Sequence, residues 1–186
     1  MRVVIIGISG AGKSTLARQL SAACGLRHIE LDALFWEPGW RQASPEDFRA
    51  RVAAATAGDG WVVDGNYSAT RDLTWGRATH LVWLDYERLP VMRRVIWRSI
   101  RRAATRQALW NGNRERWQNF LHASHPIRWA WSQWRGRRVA LEALLAGEAW
   151  AGLPLLRLRH PREAPAALAT LVRAAGGIEP GAGPGR

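Results

Sequence analysis

Short runs of apolar and β-branched residues recur along the chain and predict its strands. The first run, at positions 3–6, contains only valine and isoleucine, which is typical of a strand buried on both faces of a sheet. Four further apolar segments are bounded by glycine, proline or acidic residues. The predicted strands cover residues 3–6, 27–31, 61–64, 80–85 and 154–158.

The segments between these strands carry apolar residues at helical spacing. Leu16, Leu20 and Cys24 recur every four residues, and Gly25 supplies a stop signal. Ser44 before Pro45 is a typical helix start. Further helices are predicted over about 45–57, 89–103, 127–145 and 164–174. Strands that alternate with helices predict a parallel sheet of five strands with helices on both faces.

Length and composition favour one folded domain. The 186 residues suit a single domain over 1–175, followed by a tail at 176–186 whose glycine and proline predict disorder. The chain contains no run of 18 apolar residues, so no transmembrane helix is predicted. A single cysteine fits a reducing, cytoplasmic setting. We expect a monomer or a homodimer that does not associate with a membrane.

Positive charge is concentrated in one segment. The chain has a formal charge of +12, and residues 88–138 contain thirteen arginines and one acid, Glu115. Arg94 and Arg98 belong to a basic face of the helix predicted from Leu89. Arginines without nearby acids repel one another unless an anion joins them, so this face predicts contact with phosphate.

A phosphate-binding loop follows the first strand. Residues 7–14 match the pattern G-x-x-x-x-G-K-[ST] and contain Lys13, the only lysine of the chain. Such a loop cradles phosphates with its backbone N–H groups, its lysine reaches the β- and γ-phosphates, and its serine binds Mg²⁺. The sequence therefore predicts an ATP and Mg²⁺ site. The predicted nucleotide-binding residues are Gly7, Ser9, Gly10, Ala11, Gly12, Lys13, Ser14 and Thr15.

Acidic residues at two other strand ends are further site candidates, because ligands of parallel sheets bind beyond the carboxyl ends of the strands. Asp32 is predicted on the acceptor or magnesium side, a position that Glu30 can share. Asp64 is a site candidate on the same ground, because it ends the third predicted strand. Asp85 is predicted to start the next helix instead. An aromatic loop beside Asp32 completes the predicted substrate pocket with Phe35, Trp36 and Trp40.

The phosphate loop, the segments 31–36 and 38–40, and the sequence Asp-Gly-Asn-Tyr at 64–67 resemble the bacterial topology modulation protein group of adenylate-kinase-like P-loop proteins. The resemblance covers about residues 1–160. It implies a five-stranded parallel core, use of ATP and Mg²⁺, and a mobile basic lid over about 100–138. The group is named for an effect on DNA topology, and that name does not define a reaction.

Two details follow from this resemblance. Asp64-Gly65 matches an Asp-Gly pair that helps to hold magnesium through water in nucleoside monophosphate kinases. Those kinases continue with Phe-Pro-Arg, where this chain has 66–68 as Asn-Tyr-Ser, so the acceptor stays open. Arg94 and Arg98 keep the spacing of two lid arginines, nine and thirteen residues after Asp85. The resemblance thus assigns catalytic roles to these arginines beside Lys13 and Asp64.

Three functions are compatible with these features. The first is an ATP-dependent phosphotransferase that acts on a small anionic or hydroxyl-bearing acceptor. The second is a nucleotide-switched DNA-binding regulator. Six of the twelve tryptophans lie among the arginines at 97–134, and single-stranded nucleic acid is held by such combinations. The third is an ATPase that has no small-molecule acceptor.

Overall fold

A computed structural model describes residues 1–105, 107–114 and 126–176. Most of the predicted lid is therefore described, but its residues 106 and 115–125 lie outside the described residues, as do residues 177–186 of the tail predicted over 176–186. The division into one domain and a tail stays a prediction. Among the described helices, none combines the length and the apolar character that a membrane crossing requires.

The core of the fold is a parallel sheet of five strands. Its strands are β1 (Arg2–Gly7), β2 (Arg27–Glu30), β5 (Trp61–Asp64), β6 (His80–Leu84) and β7 (Leu155–Leu158). They are ordered β2-β5-β1-β6-β7, and every neighbouring pair is parallel. This arrangement confirms the fold class predicted from the sequence. The carboxyl ends of β1, β5 and β2 lie side by side, which brings three predicted site segments together.

Helices cover both faces of this sheet. They are α1 (Lys13–Cys24), α2 (Leu31–Phe35), α3 (Pro45–Ala55), α4 (Arg71–Thr74), α5 (Arg88–Thr105), α6 (Pro126–Leu145) and α7 (Ala164–Ala174). The longer helices lie within two residues of their predicted bounds, because their apolar spacing marks them clearly.

The alternate side chains of the central strand face two separate cores. Val3 and Ile5 pack with residues of α1, α5 and α7, whereas Val4 and Ile6 pack with residues of α3 and with Leu141 of α6. Both cores are needed because side chains of a strand alternate between its two faces. A sheet covered in this way holds the strand ends rigidly for the site.

The aromatic segment after β2 differs from its prediction as a loop. It forms α2 and then a small hairpin of β3 (Trp36–Glu37) and β4 (Arg41–Gln42). Leu31 anchors the start of α2 because its side chain is buried. The backbone N–H of Ala43 donates to the carbonyl of Phe35 at 2.8 Å and closes the segment. Long-range packing of this kind is invisible in local periodicity.

Candidate active site

The predicted phosphate loop joins β1 to α1, as the sequence pattern requires. Gly12 caps α1 with a positive φ of 98°, a conformation that favours glycine. The helix therefore begins at Lys13, and its free backbone N–H groups face the loop. Lys13 Nζ lies 3.4 Å from the carbonyl oxygen of Ile8, to which it donates, so the ammonium folds back over the loop. This geometry is suited to phosphate oxygens.

The loop is packed directly against α5. Gly10 has a φ of 85°, and a β-carbon there would collide with the side chain of Val95 and come within 3.1 Å of the Val91 carbonyl. Only glycine satisfies both the backbone conformation and this close approach. The phosphate loop and the helix that carries the predicted lid arginines are therefore one packed unit.

The arginines predicted from their spacing converge on this loop. Arg98 Nη2 donates to Ser9 Oγ at 2.8 Å. Arg94 Nη1 lies 3.8 Å from the position that a β-carbon on Gly12 would occupy, so the guanidinium lies close to Gly12. Arg102 lies one turn beyond Arg98 and lines the same cleft. Residues four apart share one helix face, so three cations form a row above the loop.

The cleft between loop and arginines has a volume of about 700 Å³. That volume lies within the usual range of about 300–1,000 Å³ for small-molecule and cofactor sites. Its walls include Gly10, Gly12 and the loop residues that follow, and the far side is formed by the segment 107–110 together with Pro161 and Ala164. The cleft is therefore large enough to hold a small ligand or cofactor against the loop.

Asp64 lies beside the phosphate loop at the end of β5. Its side chain is buried, and it accepts a hydrogen bond from the Ser14 hydroxyl. Burial raises the pKa of the Asp64 carboxyl, an effect that the nearby Lys13 charge and the Ser14 hydrogen bond oppose. Glu30 is the residue opposite Asp64 in the β2–β5 pairing. The oxygen atoms of Ser14, Asp64 and Glu30 are the kind of donors that Mg²⁺ prefers.

The acceptor side is built around Asp32, the second residue of α2. The Tyr67 hydroxyl donates to Asp32 Oδ1 at 2.5 Å. Burial and the nearby Asp32 charge raise the pKa of Tyr67 well above its usual range, so Tyr67 stays a donor. The negative charge of Asp32 also contributes to the raised pKa of Asp64. Predicted acceptor-side and magnesium-side carboxylates thus lie at one end of the sheet.

The three predicted aromatic residues occupy different positions. Phe35 packs its ring against Phe48 and Tyr67, with centroids 5.1 and 4.7 Å apart, and so supports Asp32 through Tyr67. Trp36 and Trp40 lie further out, with their rings 5.6 Å apart in an edge-to-face arrangement. That all three bind substrate remains a prediction, and of the three Phe35 is the one packed against the buried core.

A segment that the sequence marked only as a turn closes the acceptor side. The Asn113 side chain accepts from the Trp40 N–H at 2.8 Å and donates to the Glu37 carbonyl at 2.9 Å. Asn111 donates to the Trp36 carbonyl, and Trp110 Nε1 donates to Glu30 Oε2 at 2.7 Å. We call residues 107–114 the bridging segment, because it lines the cleft and also binds the aromatic hairpin.

Arg71 and Arg137 are two further cations on the acceptor side that sequence reasoning missed. Arg71 Nε donates to Asn66 Oδ1 at 3.1 Å, and its guanidinium stacks over Trp75. Burial and the nearby charge of Arg137 lower the pKa of Arg71. The charge of Arg137 also opposes the rise in the pKa of Tyr67 that burial causes. Only the folded chain brings the charges of these two arginines near each other.

Asp85 lies outside the site, although it does not start the next helix. Its carboxylate is buried and accepts from Arg157 at 2.6 and 2.9 Å and pairs with Arg138 at 3.1 Å. The helix α5 begins three residues later, at Arg88. A buried carboxylate needs such partners, and the pairing ties α6 to the ends of β6 and β7.

Comparisons with solved structures show P-loop kinase folds. A shikimate kinase from Acinetobacter baumannii in complex with shikimate shares 16% identity at a TM-score of 0.55, with 93% of each chain covered. A shikimate kinase from Bacteroides thetaiotaomicron shares 14% identity at 0.55, over 95% of this chain and 98% of that one. A gluconokinase from Sinorhizobium meliloti shares 21% at 0.47, over 93% and 94%. No protein-family model and no curated protein sequence matches the chain.

The strand order and the loop together define the fold class of this protein. It has the five-stranded P-loop kinase fold that the shikimate kinases share, with flanking helices in the same architecture. The fold that the sequence resemblance implies is thereby confirmed. The narrower likeness to the topology modulation group rests on the sequence motifs alone.

Proposed function

We propose that this protein is an ATP-dependent phosphotransferase that acts on a hydroxyl group of a small acceptor. The observation that carries the proposal is the convergence of three parts at one end of the sheet. These parts are the phosphate loop with Lys13, the arginine row of α5, and the Asp32–Asp64 carboxylates. Phosphoryl transfer needs positioning and charge neutralisation more than covalent chemistry, and these residue types supply both.

On the donor side, Lys13 and the loop N–H groups bind the β- and γ-phosphates. Ser14, Asp64 and Glu30 fit a magnesium ion through their oxygen atoms, and Mg²⁺ would neutralise phosphate charge there. Arg94 and Arg98 lie where negative charge builds up on the transferring group. Cations that bind more strongly as this charge develops accelerate the reaction itself.

On the acceptor side, Asp32 is placed to accept the proton of the attacking hydroxyl. Its partner Tyr67 donates to Oδ1, which leaves the other carboxylate oxygen for the acceptor. Abstraction of a proton requires a base within hydrogen-bond reach of the hydroxyl, and Asp32 would supply that base. The bridging segment covers this side and limits the access of water.

The acceptor carries an anionic group in addition to the hydroxyl. Arg71 and Arg137 bring two positive charges together near Tyr67, and positive charge on this side favours an acceptor that carries an anionic group. A carboxylate or a phosphate has this chemistry. The shikimate kinase from Acinetobacter baumannii was solved with shikimate, a hydroxylated carboxylate, and an acceptor of this kind fits the charges here.

The test is transfer from γ-labelled ATP to a panel of hydroxy acids, nucleosides, nucleotides and sugars. We expect label in at least one acidic acceptor, with Mg²⁺ required and with no transfer by Lys13→Ala. Release of labelled phosphate without any labelled acceptor across the panel would favour an ATPase instead. An Arg71→Met variant should raise the KM of the acceptor and leave ATP binding unchanged.

A second candidate, nucleic-acid binding, has one observation in its favour. The side of α5 that faces away from the cleft exposes Arg93, Trp97 and Arg101 at intervals of four residues, and the Trp97 side chain is 73% exposed. Cations beside an exposed aromatic ring suit a single-stranded backbone and its bases. Binding of labelled oligonucleotides to the wild type and to Trp97→Ala tests this function independently of phosphoryl transfer.

A further inference from the structure

One group of side chains beside the phosphate loop contains a histidine that phosphoryl transfer does not use. His28 and Glu30 are two residues apart on β2, so their side chains lie on the same face of the sheet. Asp64 is the residue opposite Glu30 in the parallel pairing of β2 with β5. The sheet register therefore brings one imidazole and two carboxylates together on the α1 side of the sheet.

The distances among these three residues suit a common ligand. One atom from each, a ring nitrogen of His28 and a carboxylate oxygen of Glu30 and Asp64, lies within 4.8 Å of the other two. Two ligands of one ion at about 2.1 Å lie at most about 4.2 Å apart, so small side-chain rotations would close the set. Neither β-strand has to move for this change.

The His28 ring has an unsatisfied polar atom. Its Nε2 is buried from solvent, and among the residues that the structure describes it has no hydrogen-bond partner. A buried polar atom without a partner costs about 1–3 kcal/mol, which makes such atoms uncommon in folded proteins. The imidazole is therefore available as a ligand in a way that most partly buried histidines are not.

The surrounding contacts hold the carboxylates in place. Trp110 Nε1 donates to Glu30 Oε2 at 2.7 Å, and Arg18 lies 3.7 Å from Glu30 Oε1. Asp64 accepts from the Ser14 hydroxyl. Hydrogen bonds from neighbouring side chains fix the orientation of ligand groups in metal sites and strengthen metal binding. The indole and the hydroxyl serve that purpose here.

We infer that His28, Glu30 and Asp64 form a site for a first-row transition-metal ion, and that the site binds Mn²⁺ in preference to Mg²⁺. Mg²⁺ takes oxygen ligands almost exclusively, whereas an imidazole nitrogen favours transition metals. The ion would neutralise two carboxylates that otherwise lie close together. This inference goes beyond the proposed function, because the three side chains would bind the metal without nucleotide or acceptor.

The experiment is a titration of the nucleotide-free protein with Mn²⁺, in which electron paramagnetic resonance measures free Mn²⁺. We expect one Mn²⁺ per chain and competition by Mg²⁺ only in large excess. His28→Gln should weaken Mn²⁺ binding by at least about tenfold. Loss of a residue that only hydrogen-bonds to a metal ligand lowers metal affinity about 10–100-fold, and loss of a ligand itself should lower it at least as much. Its affinity for Mg²⁺ should change by less than about twofold, because Mg²⁺ does not depend on the imidazole.

His80→Gln is the matched control, since His80 is also a partly buried histidine on a strand but lies at the start of β6. It should bind Mn²⁺ like the wild type. A spin-echo measurement of Mn²⁺ on the wild type adds a test that needs no variant, because a directly bound imidazole nitrogen modulates the echo. Absence of that modulation, absence of Mn²⁺ binding without nucleotide, or unchanged binding in His28→Gln would each overturn the inference.

The outcome is independent of phosphoryl transfer. If His28-dependent Mn²⁺ binding is found but no acceptor is labelled, the metal site stands and the proposed kinase function fails. If transfer is found with no His28-dependent binding of Mn²⁺, the proposed kinase function stands and the metal site fails.

Discussion

Replacement of Arg98 by alanine tests whether the arginine row of α5 acts on the transferring phosphoryl group. Arg98 Nη2 lies 2.8 Å from Ser9 Oγ, so its charge is already held against the phosphate loop. Removal of one well-placed donor from a transition state costs about 2.7–4 kcal/mol, which corresponds to a loss of about 10²–10³-fold in kcat. ATP affinity should fall only about tenfold, since a hydrogen bond to a charged group contributes about 1.5 kcal/mol.

Arg101→Ala is the matched control for this variant. Arg101 lies three residues further along α5, is exposed, and does not line the cleft. Single-turnover transfer at saturating ATP gives the rate, and quenching of tryptophan fluorescence gives the ATP affinity. Arg101→Ala should keep the wild-type value of both quantities.

Two results would refute this reasoning. A kcat for Arg98→Ala within about twofold of wild type would show that the guanidinium does not act on the reacting group. An equal loss of kcat in Arg101→Ala would show that general charge on α5, and not the position of Arg98, matters. Loss of oligonucleotide affinity in Arg101→Ala without a change in kcat would assign the outer face of α5 to nucleic acid and leave the cleft to catalysis.

Three further predictions concern the acceptor, the loop and the tyrosines. Asp32→Asn should lower the rate of transfer by at least about 10²-fold while ATP binding, measured by fluorescence, stays within about twofold; equal losses of both would contradict the separation of acceptor and donor sides. Gly10→Ala should destabilise the protein by about 1–3 kcal/mol in urea unfolding, because its β-carbon collides with α5, and Gly58→Ala, which meets no atom within 4 Å, should be near neutral. Burial raises the pKa of both Tyr67 and Tyr86, so the folded protein should show little tyrosinate absorbance at pH 10. Because the unfolded chain loses these protons first, stability should fall as the pH rises above about 10. Tyrosinate absorbance at about half of its full value in the folded protein at pH 10, as unperturbed tyrosines would give, would refute this assignment.

Local sequence rules predicted the phosphate loop and the arginine row because each depends on residues close together in the chain. The loop needs its glycines and Lys13 within eight consecutive positions. Arg94 and Arg98 are four residues apart, so any helix over this segment places them on one face. Which side of that helix faces the loop does not follow from apolar character alone, since Val91 and Val95 are buried whereas Leu89 is 73% exposed. The confirmed fold class follows from the same kind of local information, repeated over five strands.

The rest of the site depends on contacts between segments that are far apart in the sequence. Trp110 donates to Glu30 across 80 residues, and Asn113 binds Trp40 across 73. Nothing in a turn of the type Asn-Gly-Asn indicates what its side chains will meet.

Asp85 also shows that local sequence does not determine which residues a side chain will contact. Its position at a strand end suggested a helix start, yet Arg157 lies 72 residues away in sequence and beside it in the sheet. A strand-end carboxylate in this fold has two outcomes: it faces the cleft as Asp64 does, or it is neutralised by arginines from the neighbouring strand and helix. The choice is made by strand order: β5 and β6 both border β1, but the other neighbour of β5 is β2, whereas the other neighbour of β6 is β7, which carries Arg157. Strand order therefore determines which of the acidic residues at strand ends belong to the site.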